Sequence, residues 1–320
     1  MNRKFFIVTL LMGWCCLSLC SQTVFVQTFD YAEKDGQPLR MDVYALHTLD
    51  ENARRPVLIF SFGGSWEGGR REDGGPILEH FAQKGYVAVG IDYRLGIRRL
   101  KDAGGKIDSA NFASSYGDAI LMGIEDLFDA TAYVIRQAEE WKADTSRIVL
   151  CGSSAGAINS ITAEYLLCNH HPAATSRLPK GFSYAAVISC AGGIWLKDTA
   201  SLEWYRKPCP ILAYHGTRDQ LVPYGKMLMA GGSFGAFGPD DYLPEVKAMG
   251  VSTLMHRYAG TDHAIAGIYW HEGARNEMLD FLFRVLYLKQ QLNIDTTEER
   301  PDQEPATKTV EDSFKELSHP

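Results

Sequence analysis

The stretch RIVLCGSSAGAINS, residues 147–160, decides the fold. Ile148, Val149 and Leu150 form a short unbroken apolar run, the pattern of a strand buried on both faces. From Ala155 to Leu167 the residues Ala155, Ile158, Ile161, Ala163 and Leu166 fall near helical spacing. A chain that passes from strand to helix in so few residues packs backbone against backbone. It needs residues without side chains on both sides of the apex. Gly152 and Gly156 each stand two residues from Ser154, so Ser154 is the expected apex. Ser153 has no such flanking pair. The pattern is the G-x-S-x-G elbow, which lifts a serine hydroxyl above a sheet at a helix N-terminus. A glycine-rich structural turn carries the same letters, so the rest of the chain must supply a base, an acid and an oxyanion hole.

Outward from the elbow, strands and helices alternate. An opening hairpin is expected from TVFVQTFDY (23–31) and MDVYAL (41–46), joined by the turn-like EKDGQP (33–38). RPVLIFSF (55–62) reads as a buried strand, PILEHFAQKG (76–85) as a helix and YVAVGIDYR (86–94) as a strand. A long helix is expected over 127–141, and three more strands in YAAVISCAG (184–192), CPILAYHG (209–216) and STLMHRYAG (252–260). A final helix is expected over 274–292. Such alternation predicts an α/β fold: one mostly parallel sheet of about eight strands, with helices on both faces. Two stretches resist it, residues 96–122 and GGSFGAFGPDDYLPE (231–245), and both read as loops walling a pocket or forming a lid.

The base and acid follow the elbow in chain order. Asp219 lies just beyond the strand at 209–216, in HGTRDQLVP, and His263 lies just beyond the strand at 252–260, in TDHA. Ser154, Asp219 and His263 thus sit past the C-terminal ends of three different parallel strands and converge at one sheet edge. Asp262 is a rival acid, but neighbours in an extended loop point apart. His215 is a rival base, at a strand end where a buried structural histidine is the plainer reading. IFSFGGSWEGG (59–69) supplies a glycine turn after a strand. The N–H groups of Gly63, Gly64 and Ala155 are the expected oxyanion donors.

On these motifs the chain resembles the α/β-hydrolase superfamily. Within it, the chain is similar to secreted bacterial carboxylesterases related to hormone-sensitive lipase and to acetyl and feruloyl esterases. FGGSW (62–66) resembles that group's H-G-G-G-W element, IDYRL (91–95) the segment after its fourth strand, and GSSAGA (152–157) its elbow. The similarity covers about residues 36–290. Phe62 departs from the pattern, standing where the group has a histidine that braces the oxyanion loop. The resemblance implies a serine carboxylic-ester hydrolase without cofactor, acting through an acyl-enzyme, with acetylated or feruloylated glycans as its ester substrates. Trp66, Tyr93, Trp195 and Tyr205 are aromatic candidates for stacking on sugar or phenolic rings, against core packing. A serine exopeptidase of prolyl oligopeptidase type and a catalytically inactive binding module are the competing readings.

The 320 residues carry a net charge of −7, which argues against a nucleic-acid partner, and the body holds no run long and apolar enough to span a membrane. Arg3 and Lys4 precede FFIVTLLMGWCCLSL (5–19), the pattern of a signal peptide over residues 1–20 and of an exported, periplasmic or secreted protein. Leu17-Ser18-Leu19-Cys20 also resembles a lipoprotein box, with Cys20 as the lipidated residue, although Leu19 is large for that position. The catalytic domain is expected over residues 21–292. Residues 293–320 are polar and acidic and read as a disordered tail. Of the seven cysteines, Cys151, Cys168, Cys190 and Cys209 remain in the body, with Cys168 and Cys209 the pair considered for a bridge. His170 and His171 read as surface histidines rather than metal ligands.

Overall fold

The computed structural model describes residues 23–47 and 53–299. The segment read as a signal peptide, Cys20 and residues 300–320, read as part of a tail, lie outside the described residues. The chain opens with the hairpin β1 (Val24–Lys34) and β2 (Gln37–Leu46), paired antiparallel. Asp35 and Gly36 turn it with φ of 54° and 74°, the left-handed pair that suits a two-residue hairpin.

Strands and helices then alternate: β3 (Arg55–Ser61), α1 (Gly75–Gln83), β4 (Val87–Ile91), α2 (Gly96–Asp102), α3 (Phe112–Arg136), α4 (Ala138–Trp141), β5 (Ala143–Ser153), α5 (Ala155–Cys168), α6 (Pro172–Thr175) and β6 (Ala186–Cys190). After β7 (Ile194–Lys197) come β8 (Ile211–Gly216), β9 (Lys226–Met229), β10 (Phe234–Phe237), α7 (Pro239–Ala248), β11 (Thr253–Ala259), α8 (Glu272–Leu282) and β12 (Asn293–Glu299). The main sheet has nine strands in the order β1-β2-β4-β3-β5-β6-β8-β11-β12. From β4 to β12 every pairing is parallel, and β2 alone runs against the rest. This is the α/β-hydrolase fold. β4, β6 and β8 are buried along their whole length, which is why they read as continuous apolar runs. Helix α5 is buried at all of its 14 positions, between the sheet and α3.

Four expectations need correction. The ninth strand comes from β12, so residues 293–299 are ordered in parallel register with β11 rather than part of a tail. β12 has only one apolar residue, Ile294, because it is an edge strand held by its backbone and by ion pairs of Asp295 with Arg257 and Lys247. Second, much of 96–122 is helical. Ala113, Tyr116, Ala119, Ile120, Gly123 and Ile124 continue the buried stripe of α3 through its Gly- and Ser-rich first half. Third, residues 231–245 hold β10 and the start of α7, and β10 joins β7 and β9 in a separate three-stranded antiparallel sheet. Fourth, the final helix stops at Leu282, continuing as a single π turn over Phe283–Tyr287.

The four body cysteines are free and buried. Cys168 is not bridged to Cys209; its thiol donates to Glu164 Oε1 at 3.2 Å, and the Cys209 amide donates to the same oxygen at 2.8 Å. This carboxylate is buried, and burial raises its pKa. No helix among the described residues is long and apolar enough to cross a membrane.

Candidate active site

The elbow forms at the junction of β5 and α5. Ser154 has φ 51° and ψ −120°, a conformation that a non-glycine residue holds only when its surroundings impose it. The surroundings are close backbone. A Cβ on Gly152 would stand 2.2 Å from the Gly156 carbonyl oxygen, and a Cβ on Gly156 would stand 2.1 Å from that of Ser61. Both glycines are therefore sterically required, and the residue between them is displayed at the helix N-terminus. Ser153 borders the same cavity, but its hydroxyl is engaged elsewhere. It is 6% exposed, and its hydroxyl donates to the Ala266 carbonyl at 2.8 Å.

The Ser154 hydroxyl lies 2.8 Å from His263 Nε2, and His263 Nδ1 lies 2.7 Å from Asp219 Oδ2. A carboxylate only accepts, so Nδ1 carries the proton of the neutral imidazole and Nε2 is left to accept from Ser154. Asp219 is 4% exposed, and its other oxygen accepts from the amides of Leu221 and Val222, each at 2.9 Å. Burial alone would raise its pKa. Hydrogen bonds from His215 and His263 outweigh that and hold the carboxyl far below the usual range, so it is ionised.

Both rivals are accounted for. Asp262 caps the helical turn that starts at His263, accepting from the Ala264 amide at 2.8 Å. His215 is fully buried; its Nε2 faces the Val222 carbonyl at 2.9 Å and Asp219 Oδ2 at 3.4 Å. It thus supports the acid rather than competing for the serine, a role that its position at a strand end did not announce. The acid and histidine loops are also joined directly. The Gly260 amide donates to Thr217 Oγ1 at 2.9 Å and the Arg218 amide to the Thr261 carbonyl at 2.9 Å. A Cβ on Gly216 would meet the Thr261 and Asp262 carbonyls at 2.3 Å, so glycine alone permits that approach.

Gly63 and Gly64 lie against the serine. A Cβ on Gly63 would stand 3.1 Å from Ser154 Cβ, and Gly64 has φ 117°. Ala155 is the first residue of α5, where helix amides lack intrahelical acceptors. All three line the same cavity as Ser154 and His263. Phe62 is itself held in place. The Phe62 ring stacks on Tyr93, centroids 4.3 Å apart at 18°, and the Tyr93 hydroxyl donates to the Phe62 carbonyl at 2.8 Å. A second tie runs from Trp66 Nε1 to Asn159 Oδ1 at 3.0 Å, joining the glycine loop to α5. The sequence flagged Phe62 as a departure but gave no sign of which residues would hold it.

The cavity measures about 380 Å³. Besides Ser154, His263, Gly63, Gly64 and Ala155, its lining includes Ser153, Ile158, Trp66, Tyr116, Trp195 and Leu221. Of the aromatic candidates, Trp66 and Trp195 line it. Tyr93 sits behind Phe62, and Tyr205, 77% exposed, packs edge-on against His170 past the end of α5. No group of three or more His, Cys, Asp or Glu able to hold a metal occurs among the described residues.

The BD-FAE family model matches residues 41–207, just over half of the chain. "Probable carboxylic ester hydrolase LipM" of Mycobacterium tuberculosis is 28% identical over 122 residues, covering 38% of this chain and 24% of that protein. "Probable isoprenylcysteine alpha-carbonyl methylesterase ICMEL1" of Oryza sativa subsp. japonica is 27% identical over 156 residues, 46% of this chain and 32% of that protein. The similarity therefore spans about a quarter to a third of the length of these relatives. Among solved structures, Thermogutta terrifontis esterase 2 phosphoramylated by tabun superposes with a TM-score of 0.59 at 20% identity, over 82% of this chain and 95% of that one.

Proposed function

The chain belongs to the BD-FAE family, and from that premise we propose that it is a serine carboxylic-ester hydrolase working through an acyl-enzyme. The observation that carries the proposal is the unbroken line from Ser154 Oγ to His263 to Asp219, with contacts of 2.8 and 2.7 Å. Ser154 is the nucleophile, His263 the general base and Asp219 the residue that fixes the imidazole tautomer. As Ser154 Oγ bonds to the ester carbonyl carbon, its proton passes to His263 Nε2. The ionised Asp219 stabilises the resulting imidazolium. The carbonyl oxygen gains negative charge and lies against the amides of Gly63, Gly64 and Ala155, donors already in place before the reaction begins. His263 then returns the proton to the departing alcohol. Water, deprotonated by the same imidazole, attacks the acyl-enzyme; the bond to Ser154 Oγ breaks, that oxygen takes the proton back from His263, and the acid is released. No step calls on a cofactor.

The named relatives, a carboxylic ester hydrolase and a methylesterase, support an ester rather than a peptide substrate. The basic–apolar opening of the sequence supports export, and with it an extracellular or periplasmic ester such as an acylated glycan.

The test combines a fluorophosphonate probe with two substrates, p-nitrophenyl acetate and a dipeptide anilide. Labelling of the wild type but not of Ser154→Ala, with turnover of the acetate alone, is expected. Labelling with turnover of the anilide alone would make it a peptidase. No labelling of folded wild type would make it a binding module.

A further inference from the structure

Five aromatic rings close into a cycle against the cavity, and three of them, Trp66, Tyr116 and Trp195, line it. Trp66 meets Tyr116 edge-on at 6.0 Å, and Tyr116 meets Phe112 at 4.6 Å. Phe112 meets Phe234 at 5.5 Å, Phe234 meets Trp195 at 5.8 Å, and Trp195 meets Trp66 again at 6.3 Å. The rings come from the glycine loop, α3, β10 and β7, and none is more than 6% exposed. These separations fall in the range of packed aromatic pairs, so the five rings form a continuous wall. The cycle is also fixed relative to the serine. Trp66 is tied to Asn159, and the Trp195 amide donates to Thr162 Oγ1 at 3.2 Å. Both anchors lie on α5, the helix that Ser154 begins.

The stereochemistry of the reaction says which part of the ester meets this wall. In the tetrahedral intermediate the reacting carbon carries Ser154 Oγ, the oxyanion, the alcohol oxygen and the acyl chain. The oxyanion is turned to Gly63, Gly64 and Ala155. The alcohol oxygen must lie within reach of His263 Nε2, which protonates it, and His263 is partly open to solvent, with its side chain 19% exposed. A large alcohol is thus accommodated on the His263 side. With the oxyanion side and the His263 side taken, the lining residues left for the acyl chain to meet include Ile158, Tyr116, Trp66 and Trp195.

We propose that this aromatic cycle closes the acyl side of the cavity and restricts the enzyme to esters of short acyl acids, acetyl to butyryl, with Trp195 and Tyr116 as the residues that set the limit. The proposal rests on the serine esterase reading above. It selects the acetylated over the feruloylated class of ester, because a rigid aryl-propenoyl chain would have to displace rings that are buried and braced by one another.

The experiment measures kcat/KM for p-nitrophenyl acetate, butyrate and octanoate with wild type, Trp195→Ala, Trp195→Leu and Tyr116→Ala. Fluorophosphonate labelling and thermal melting identify the folded variants. The wild type is expected to fall by at least about tenfold from butyrate to octanoate, the discrimination a few methylenes produce in a closed pocket. The octanoate-to-acetate ratio is expected to rise by about tenfold or more in the folded variants. A wild type that turns over octanoate as well as acetate overturns the proposal, whatever the variants do. An unchanged ratio in labelled, folded variants overturns the assignment to these two residues. A folded wild type that neither labels nor hydrolyses any of the three esters sinks the esterase reading itself, a result distinct from both.

Discussion

His263 turns its Nδ1 to Asp219, 44 residues away in the chain, at 2.7 Å, and not to the carboxylate of its own neighbour Asp262. The neighbour is spent on the Ala264 amide, where it starts the helical turn that carries the histidine. The distant residue is held by two amides and a second histidine. Asp219→Asn is therefore expected to retain the fold yet lose about 10⁴-fold in kcat, because a carboxamide facing Nδ1 favours the wrong tautomer. Asp262→Asn keeps an oxygen for the Ala264 amide and should cost far less. Both are read with a short-chain ester, with circular dichroism as the folding control; a crippled Asp262→Asn beside an active Asp219→Asn would reverse the assignment.

The adjacent serines separate catalysis from packing. Ser154→Ala is expected to abolish ester hydrolysis and probe labelling. Ser153→Ala removes a buried hydrogen bond to the Ala266 carbonyl, three residues after His263. It is expected to cost about 1 kcal/mol of stability while keeping most of the activity. Melting temperature and kcat measured on the same two proteins decide it: equal loss of activity in both would mean that the elbow presents both hydroxyls.

The order Ser154, Asp219, His263 was legible because each residue follows an apolar strand and because glycines flank the first. The glycines could be read as necessary since the turn allows nothing larger. What sequence could not display was anything held by long-range packing. His215 looks like a strand-end histidine until the acid loop folds back over it. Tyr93 holds Phe62 from beyond the end of a different strand. The small sheet that carries Trp195 has three strands of four residues each, too short for a period to emerge. The first half of α3 was hidden by Gly and Ser, which fit between helices for the same reason that they read as loop.

β12 corrects the expected domain boundary and changes what truncation should do. It pairs with β11 along seven residues, and Leu292 before it is 4% exposed with its carbonyl accepting from Thr253. A chain ending at Gln291 strips the edge from β11, exposing ladder amides and leaving Arg257 without Asp295. It is expected to melt several degrees below a chain ending at Glu299, by calorimetry in the same buffer. Equal melting temperatures would show that the strand adds nothing to stability.

Below that edge, His256 on β11 links the sheet to α8. Its Nδ1 lies 3.0 Å from Glu277 Oε2, and its ring stacks on Tyr258 at 4.6 Å. The hydrogen bond to Glu277 raises the His256 pKa above its usual value, more than burial lowers it. A group whose folded pKa is raised stabilises the fold fully below its unfolded pKa, about 6.5. That contribution is lost as pH rises through the raised folded value. Glu277→Gln keeps a hydrogen-bonding side chain but removes the charge that holds the proton. The wild type is thus expected to melt above Glu277→Gln at pH 5.5, with the gap narrowing by pH 9, where His256 is neutral in both. Glu298, 3.5 Å from His256 Nε2, acts in the same direction, and a chain lacking β12 should show a smaller gap. Melting curves at both pH values test the sign, and a gap that widens toward pH 9 would mean that the pair stabilises the neutral rather than the protonated imidazole.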